Sequence, residues 1–127
     1  MLEINVLDRQ TVINNVARKS IGCYQLGNPD QDGNFVVGYI GRSTRCLRTR
    51  LIEHPKKSEF TLFKFVVLKT NREVFDTECR WFHLFRDKSQ SNLRHPDSPR
   101  MLNYKCKYCK RHPSMIRDEE MRIRGEA

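Results

Sequence analysis

Arg50 and His54 lie four residues apart, a spacing that puts both side chains on one flank of a helix. Upstream, two strand-like runs, Ile21-Gly22-Cys23-Tyr24 and Gly38-Tyr39-Ile40-Gly41, each combine glycine with tyrosine. A tyrosine at a strand end, with an arginine and a histidine on one helix face, can converge on a single anion. Arginine suits a phosphate, because its guanidinium is planar, forked and permanently charged. Farther along, Glu78 falls in the middle of an apolar helical face formed by Val74, Phe75, Phe82 and Phe85. An ionised carboxylate there is expensive unless it snorkels to an edge, pairs with a buried arginine or binds a cation.

A second group of residues suits a softer ion. Cys79 and His83 are also four apart on that helix, and Cys106-Lys107-Tyr108-Cys109 has the spacing of a zinc knuckle. Cys79, His83, Cys106 and Cys109 together would close a tetrahedral shell around a structural Zn²⁺, with His95 or His112 as replacements for His83. The competing reading of a Cys-x-x-Cys is a redox pair, but the strand-then-helix context of such motifs is missing here.

These side chains need a scaffold, and the sequence outlines one. Asp8 can cap a short helix through Val12, Ile13 and Val16. Ile21–Leu26 and Phe35–Ile40 read as paired strands, separated by the turn formers of residues 27–34. A helix over 45–54 follows, with Ser43 or Thr44 as its cap and Leu47 and Leu51 as its buried stripe. It stops at Pro55, because the residue before proline is pushed out of helical geometry. Phe60–Leu68 is almost wholly apolar and reads as a third strand. Asn71 can cap the helix over 72–87. Residues 89–113 have no clear period, and a loop of that length is usually functional or held by something other than a core. Ser114–Arg124 can form a charged terminal helix.

With Gly22-Cys23-Tyr24 and Tyr39-Ile40-Gly41 as two signatures, then Arg50, His54 and Glu78, the chain resembles the GIY-YIG nuclease family. Cys23 departs from the usual aliphatic residue, although a thiol packs as a small hydrophobe. The resemblance covers about residues 21–82. It implies an α+β fold, a small three-stranded antiparallel sheet flanked by helices, and phosphodiester hydrolysis. It also implies that Glu78 ligates a catalytic Mg²⁺ or Mn²⁺ and that Tyr24 is the general base, with Tyr39 positioning water or phosphate beside it. His54 is the alternative base or a relay to Tyr24. Asn92 or Asn103 matches an asparagine found after the glutamate in some members. The expected organisation is a catalytic domain over 1–88 and an irregular, basic, zinc-pinned tail over 89–127.

Charge agrees with a polyanionic partner. The 127 residues carry 24 Lys and Arg against 15 acids, a net charge of +9, which points to nucleic acid first, and the resemblance makes that partner DNA. Arg42, Arg45, Arg48, Lys105, Lys107, Lys110 and Arg111 are the expected backbone contacts. No apolar run reaches the roughly 18 residues that span a bilayer, and the N-terminus lacks a signal-peptide pattern, so the expected compartment is the cytoplasm. The function expected is a metal-dependent DNA endonuclease, with specificity aided by a homodimer or partner protein. Its rival is a non-catalytic, zinc-stabilised nucleic-acid-binding module that keeps the fold.

Overall fold

The computed structural model describes residues 2–86, 96 and 104–109. The N-terminal segment begins with strand β1 (Asn5–Val6) and helix α1 (Arg9–Asn15). Asp8 caps α1 as its sequence implies, its Oδ1 accepting from the Thr11 amide at 2.7 Å. Strands β2 (Ile21–Pro29) and β3 (Phe35–Ser43) form an antiparallel hairpin. Its turn is closed by Asp30, whose Oδ1 accepts from the amides of Asp32 and Asn34, and by Gly33 at φ +82°, a left-handed conformation that glycine tolerates.

Helix α2 (Leu47–Ile52) is shorter than the 45–54 expected, so His54 lies just beyond it. Ser43 accepts from the Cys46 amide at 3.2 Å and shapes the entry turn, but the N-cap position is Cys46, which makes no side-chain cap bond. After a 3₁₀ turn (Lys57–Glu59), strand β4 (Leu62–Leu68) returns along the other edge of β2.

The sheet is antiparallel with four strands, in the order β1-β4-β2-β3, rather than the three expected. The added strand is β1, whose two residues pair Asn5 with Phe63 and Val6 with Leu62. Two residues are too few to display a period-2 pattern. Period-2 alternation then sorts the faces. Tyr24, Leu26 and Phe63 pack with Val12, Val16, Leu47 and Leu51 beneath α1 and α2. Cys23, on the opposite face, packs with Val74 and Trp81 of helix α3 (Asn71–Phe85).

Thr70, not Asn71, caps α3. The Glu73 amide donates to Thr70 Oγ1 and the Thr70 amide to Glu73 Oε1, both at 3.1 Å, a reciprocal capping box. The helix is apolar on more than one side, because Phe75, Cys79 and Leu84 pack against Tyr108 rather than the sheet.

Gly41 makes room for the buried tyrosine. It pairs directly with Tyr24 across the β2–β3 ladder, and a Cβ at that position would lie 2.3 Å from the Tyr24 oxygen. Gly41→Ala should therefore destabilise the fold by about 1–3 kcal/mol, the usual range for overpacking. Chemical denaturation measures it, and a variant as stable as the parent would show that the ring can move aside at no cost.

Candidate functional site

The tyrosine signatures meet on the α2 side of the sheet. Tyr24 is completely buried, and its ring runs across Gly41. Arg50, in the last turn of α2, donates from Nε to the Tyr24 oxygen at 3.1 Å. Tyr39 stands two residues before Gly41, at the last pair before a bulge in the β2–β3 register. Its ring stacks on that of Tyr24 with centroids 6.2 Å apart and planes 17° apart. His54 is 2% exposed and sits edge-on to both rings, 5.4 Å from Tyr24 and 4.7 Å from Tyr39. Tyr24, Tyr39, Arg50 and His54 thus form one continuous cluster.

Burial sets the protonation states. Desolvation pushes the Tyr24 phenol above its ordinary range, the Arg50 hydrogen bond and charge oppose it, and the nearby charges of Tyr39 and Glu78 add to the rise. Tyr24 is therefore a neutral phenol in the folded protein. His54 is held down to about 4 by burial first, then by the Arg50 and Lys56 cations. An unfolded histidine titrates near 6.5. Between those values the unfolded chain binds the extra proton, so this stabilisation is complete above about pH 6.5 and is lost as pH falls toward 4.

Glu78 comes from α3, beyond the covered tyrosine face. Arg42 Nη1 lies 3.0 Å from Glu78 Oε1, with the two side chains 21% and 12% exposed, so the carboxylate is paired with an arginine. Arg42 also lies over the Phe75 ring, 5.8 Å from its centroid. Pattern reasoning placed Arg42 among outward cations. Its position two residues after Ile40, which packs near Val74 and Trp81, was the available sign that it faces α3.

The remaining basic residues divide by environment. Arg48 donates from Nε to Val16 O at 2.6 Å and from Nη2 to Ile13 O at 2.8 Å, closing the C-terminal end of α1. Arg45 and Lys105 are exposed. Lys107 is exposed too, 3.9 Å from Asp76 and over the Tyr108 ring. Lys110, Arg111, His95, His112, Asn92, Asn103 and the charged 114–124 segment lie outside the described residues.

His83, Cys106 and Cys109 form a cluster that could hold a metal ion, their ligand atoms all within 4.8 Å of one another. His83 Nε2 is 3.4 Å from Cys106 Sγ and 3.6 Å from Cys109 Sγ. Zinc bonds of ordinary length at a tetrahedral angle separate sulfur from nitrogen by about 3.5 Å. Cys79 is not among these three. It is buried beside them, with its thiol pushed upward by desolvation and then by Cys106, to which it hydrogen-bonds. The segment 104–109 is docked on α3 by further contacts. Tyr108 is 1% exposed, Tyr104 packs against Phe75, and Arg72 lies over the Tyr104 ring. Among the described residues, no helix is long and apolar enough to cross a membrane.

Because Arg48 holds the end of α1, Arg48→Ala should lower stability by about 1.5–3 kcal/mol, as for charged hydrogen bonds. Chemical denaturation measures the loss, and a variant as stable as the parent would show that these two bonds do not hold α1 in place. No protein-family model, curated protein or solved structure matches the chain.

Proposed function

We propose that this protein is a divalent-metal-dependent DNA endonuclease of the GIY-YIG type. The observation that carries the reading is the Tyr24–Tyr39–Arg50–His54 cluster. Residues scattered over thirty positions of sequence meet at one place, and Gly41 is small where the ring of Tyr24 must cross it. A buried tyrosine hydroxyl needs some hydrogen-bond partner, and the one it has here is a permanent cation.

The roles follow from chemistry. Arg50 is exposed and also bonded to Tyr24 and Tyr39, so its guanidinium can neutralise a phosphate while steadying the two tyrosines. Tyr24 accepts from Arg50 and keeps its own O–H to donate. Tyr39 is half-buried and placed to orient a water or a phosphoryl oxygen. Glu78 is the carboxylate whose charge reaches Tyr24, and its oxygen chemistry suits Mg²⁺ or Mn²⁺. Arg42 competes with a cation for that carboxylate. A metal there would polarise the phosphate and stabilise the leaving oxygen.

The same Arg42–Glu78 pair is what favours a second reading, a nucleic-acid-binding module without catalysis, in which the arginine simply neutralises Glu78. Supercoiled DNA with and without Mg²⁺ separates the two. Under the endonuclease reading the parent protein nicks or linearises the DNA only with the metal, and Glu78→Ala loses about 10³-fold or more of that rate while binding DNA as before. Metal-independent cleavage, or full activity of the variant, would sink the role of Glu78.

The His83, Cys106 and Cys109 cluster is proposed to hold a structural Zn²⁺, with Cys79 at hand as a fourth ligand. The near-tetrahedral spacing of the sulfur and nitrogen atoms supports it. Elemental analysis of protein prepared without a metal-binding tag should give one zinc per chain, and Cys106→Ser should lower both zinc content and melting temperature. A metal-free protein with unchanged melting would leave the cysteines as ordinary thiols.

A further inference from the structure

His54 has two ring nitrogens in different circumstances. Nδ1 receives the Lys56 amide at 3.0 Å. Since that amide can only donate, Nδ1 presents its lone pair, and in a neutral imidazole the single proton then sits on Nε2. Nε2 is buried and has no hydrogen-bond partner. It belongs to a ring that stands edge-on to both Tyr24 and Tyr39, near-perpendicular to each at 81° and 76°.

A base needs a lone pair within reach of the proton it takes. The one lone pair of His54 is occupied by the main chain, and its other nitrogen already carries hydrogen. From this geometry we infer that His54 is a positioning residue of the proposed nuclease site, a fixed neutral imidazole that braces the two tyrosine rings and takes no proton during the reaction. The inference rests on the endonuclease reading for its place in a reaction, but the tautomer stands on the fold alone.

The surroundings favour the same state. Arg50 of α2 and Lys56 of the following loop bring positive charge to the imidazole, while Tyr24 of β2 and Tyr39 of β3 present neutral ring faces. Glu78 of α3 lies near enough for its charge to act on Tyr24, but it is not among the groups that shift His54. The Lys56 amide is held in place by chain geometry, following Pro55 and opening the 3₁₀ turn in which the Lys57 amide donates to His54 O at 3.1 Å. The backbone on both sides of the ring is thus tied to His54 itself.

Two measurements decide the matter. The first is the imidazole ¹⁵N spectrum of the intact protein, which reads protonation directly. A ring with Nε2 protonated and Nδ1 bare throughout pH 5–8 supports the inference; an Nδ1–H ring, or titration near 6.5, overturns it. The second is the pH–rate profile for Mg²⁺-dependent cleavage of supercoiled DNA by the parent and by His54→Asn, whose Oδ1 can still accept the Lys56 amide. A positioning role predicts a loss of less than about tenfold with the acid limb unchanged, whereas loss of a base predicts about 10²–10⁴-fold and a vanished limb. If the protein cleaves no DNA under any condition, the endonuclease reading fails, and the spectrum alone still tests the locked tautomer.

Discussion

The fold turns on one fully buried phenol. Tyr24 sits in the central strand of the hairpin, contributes to the main core and lies across Gly41 with its oxygen held by Arg50. Each contact constrains a different element. The ring fixes which residue of β3 must lack a side chain, and the oxygen fixes the last turn of α2. His54 and Tyr39 are then placed by contact with the ring itself. A buried tyrosine requires a partner for its hydroxyl. Here that partner is a cation on an exposed helix position, which sets Arg50 beside the two tyrosines. Stability and proposed chemistry draw on the same atoms, and substitutions at Tyr24 will disturb both.

The other side of the sheet has its own electrostatic constraint. Glu78 is mostly covered, and Arg42 reaches from β3 to meet it. A covered carboxylate needs a cation, but the fold does not prescribe which one. An arginine holds it with a directional hydrogen bond, whereas a divalent ion brings its own water and higher charge. Glu78 meets the guanidinium of Arg42; a metal at that carboxylate belongs to the proposed function alone. Under the proposed endonuclease reading, the ion pair that neutralises the helix face would be the competitor that a catalytic cation has to displace.

Much of this was legible in the sequence, and for identifiable reasons. The hairpin announced itself through residues 27–34, α1 through Asp8, and the core of α2 through Leu47 and Leu51. What sequence reasoning missed was set by partners distant along the chain. Asn71 is a good capping residue in isolation, but Thr70 with Glu73 makes the reciprocal pair and takes the position. The strand β1 exists only because β4 offers an edge to pair with. Arg42 and Arg48 look like any surface arginines until Glu78 and the end of α1 come close. Cys79 shared the helical spacing expected of a ligand, yet it falls outside the tight His83, Cys106 and Cys109 group. Spacing puts a residue on a face; only packing decides how near it comes.

Those internal uses change how the net charge should be read. Formal charge counts every arginine equally, but a guanidinium bonded to helix carbonyls or to a carboxylate has already exchanged hydration for fixed partners. Arg48 cannot swing to a phosphate without releasing Val16 and Ile13, and Arg42 cannot without breaking its pair with Glu78. Lys107 is exposed, 3.9 Å from Asp76 and over the Tyr108 ring. Counterion release depends on charges that can meet phosphates. Exposed cations among the described residues include Arg45 at the entrance to α2, Arg50 and Lys56 beside the tyrosines, and Lys105 on the docked segment. Under the proposed reading, a DNA backbone drawn to Arg50 and Lys56 would approach the Tyr39 side of the cluster. Under the proposed reading, Arg45, Arg50 and Lys56, all close to α2, would lead that backbone toward the proposed catalytic residues, while the segment 104–109 packs separately on α3 through Tyr104 and Tyr108.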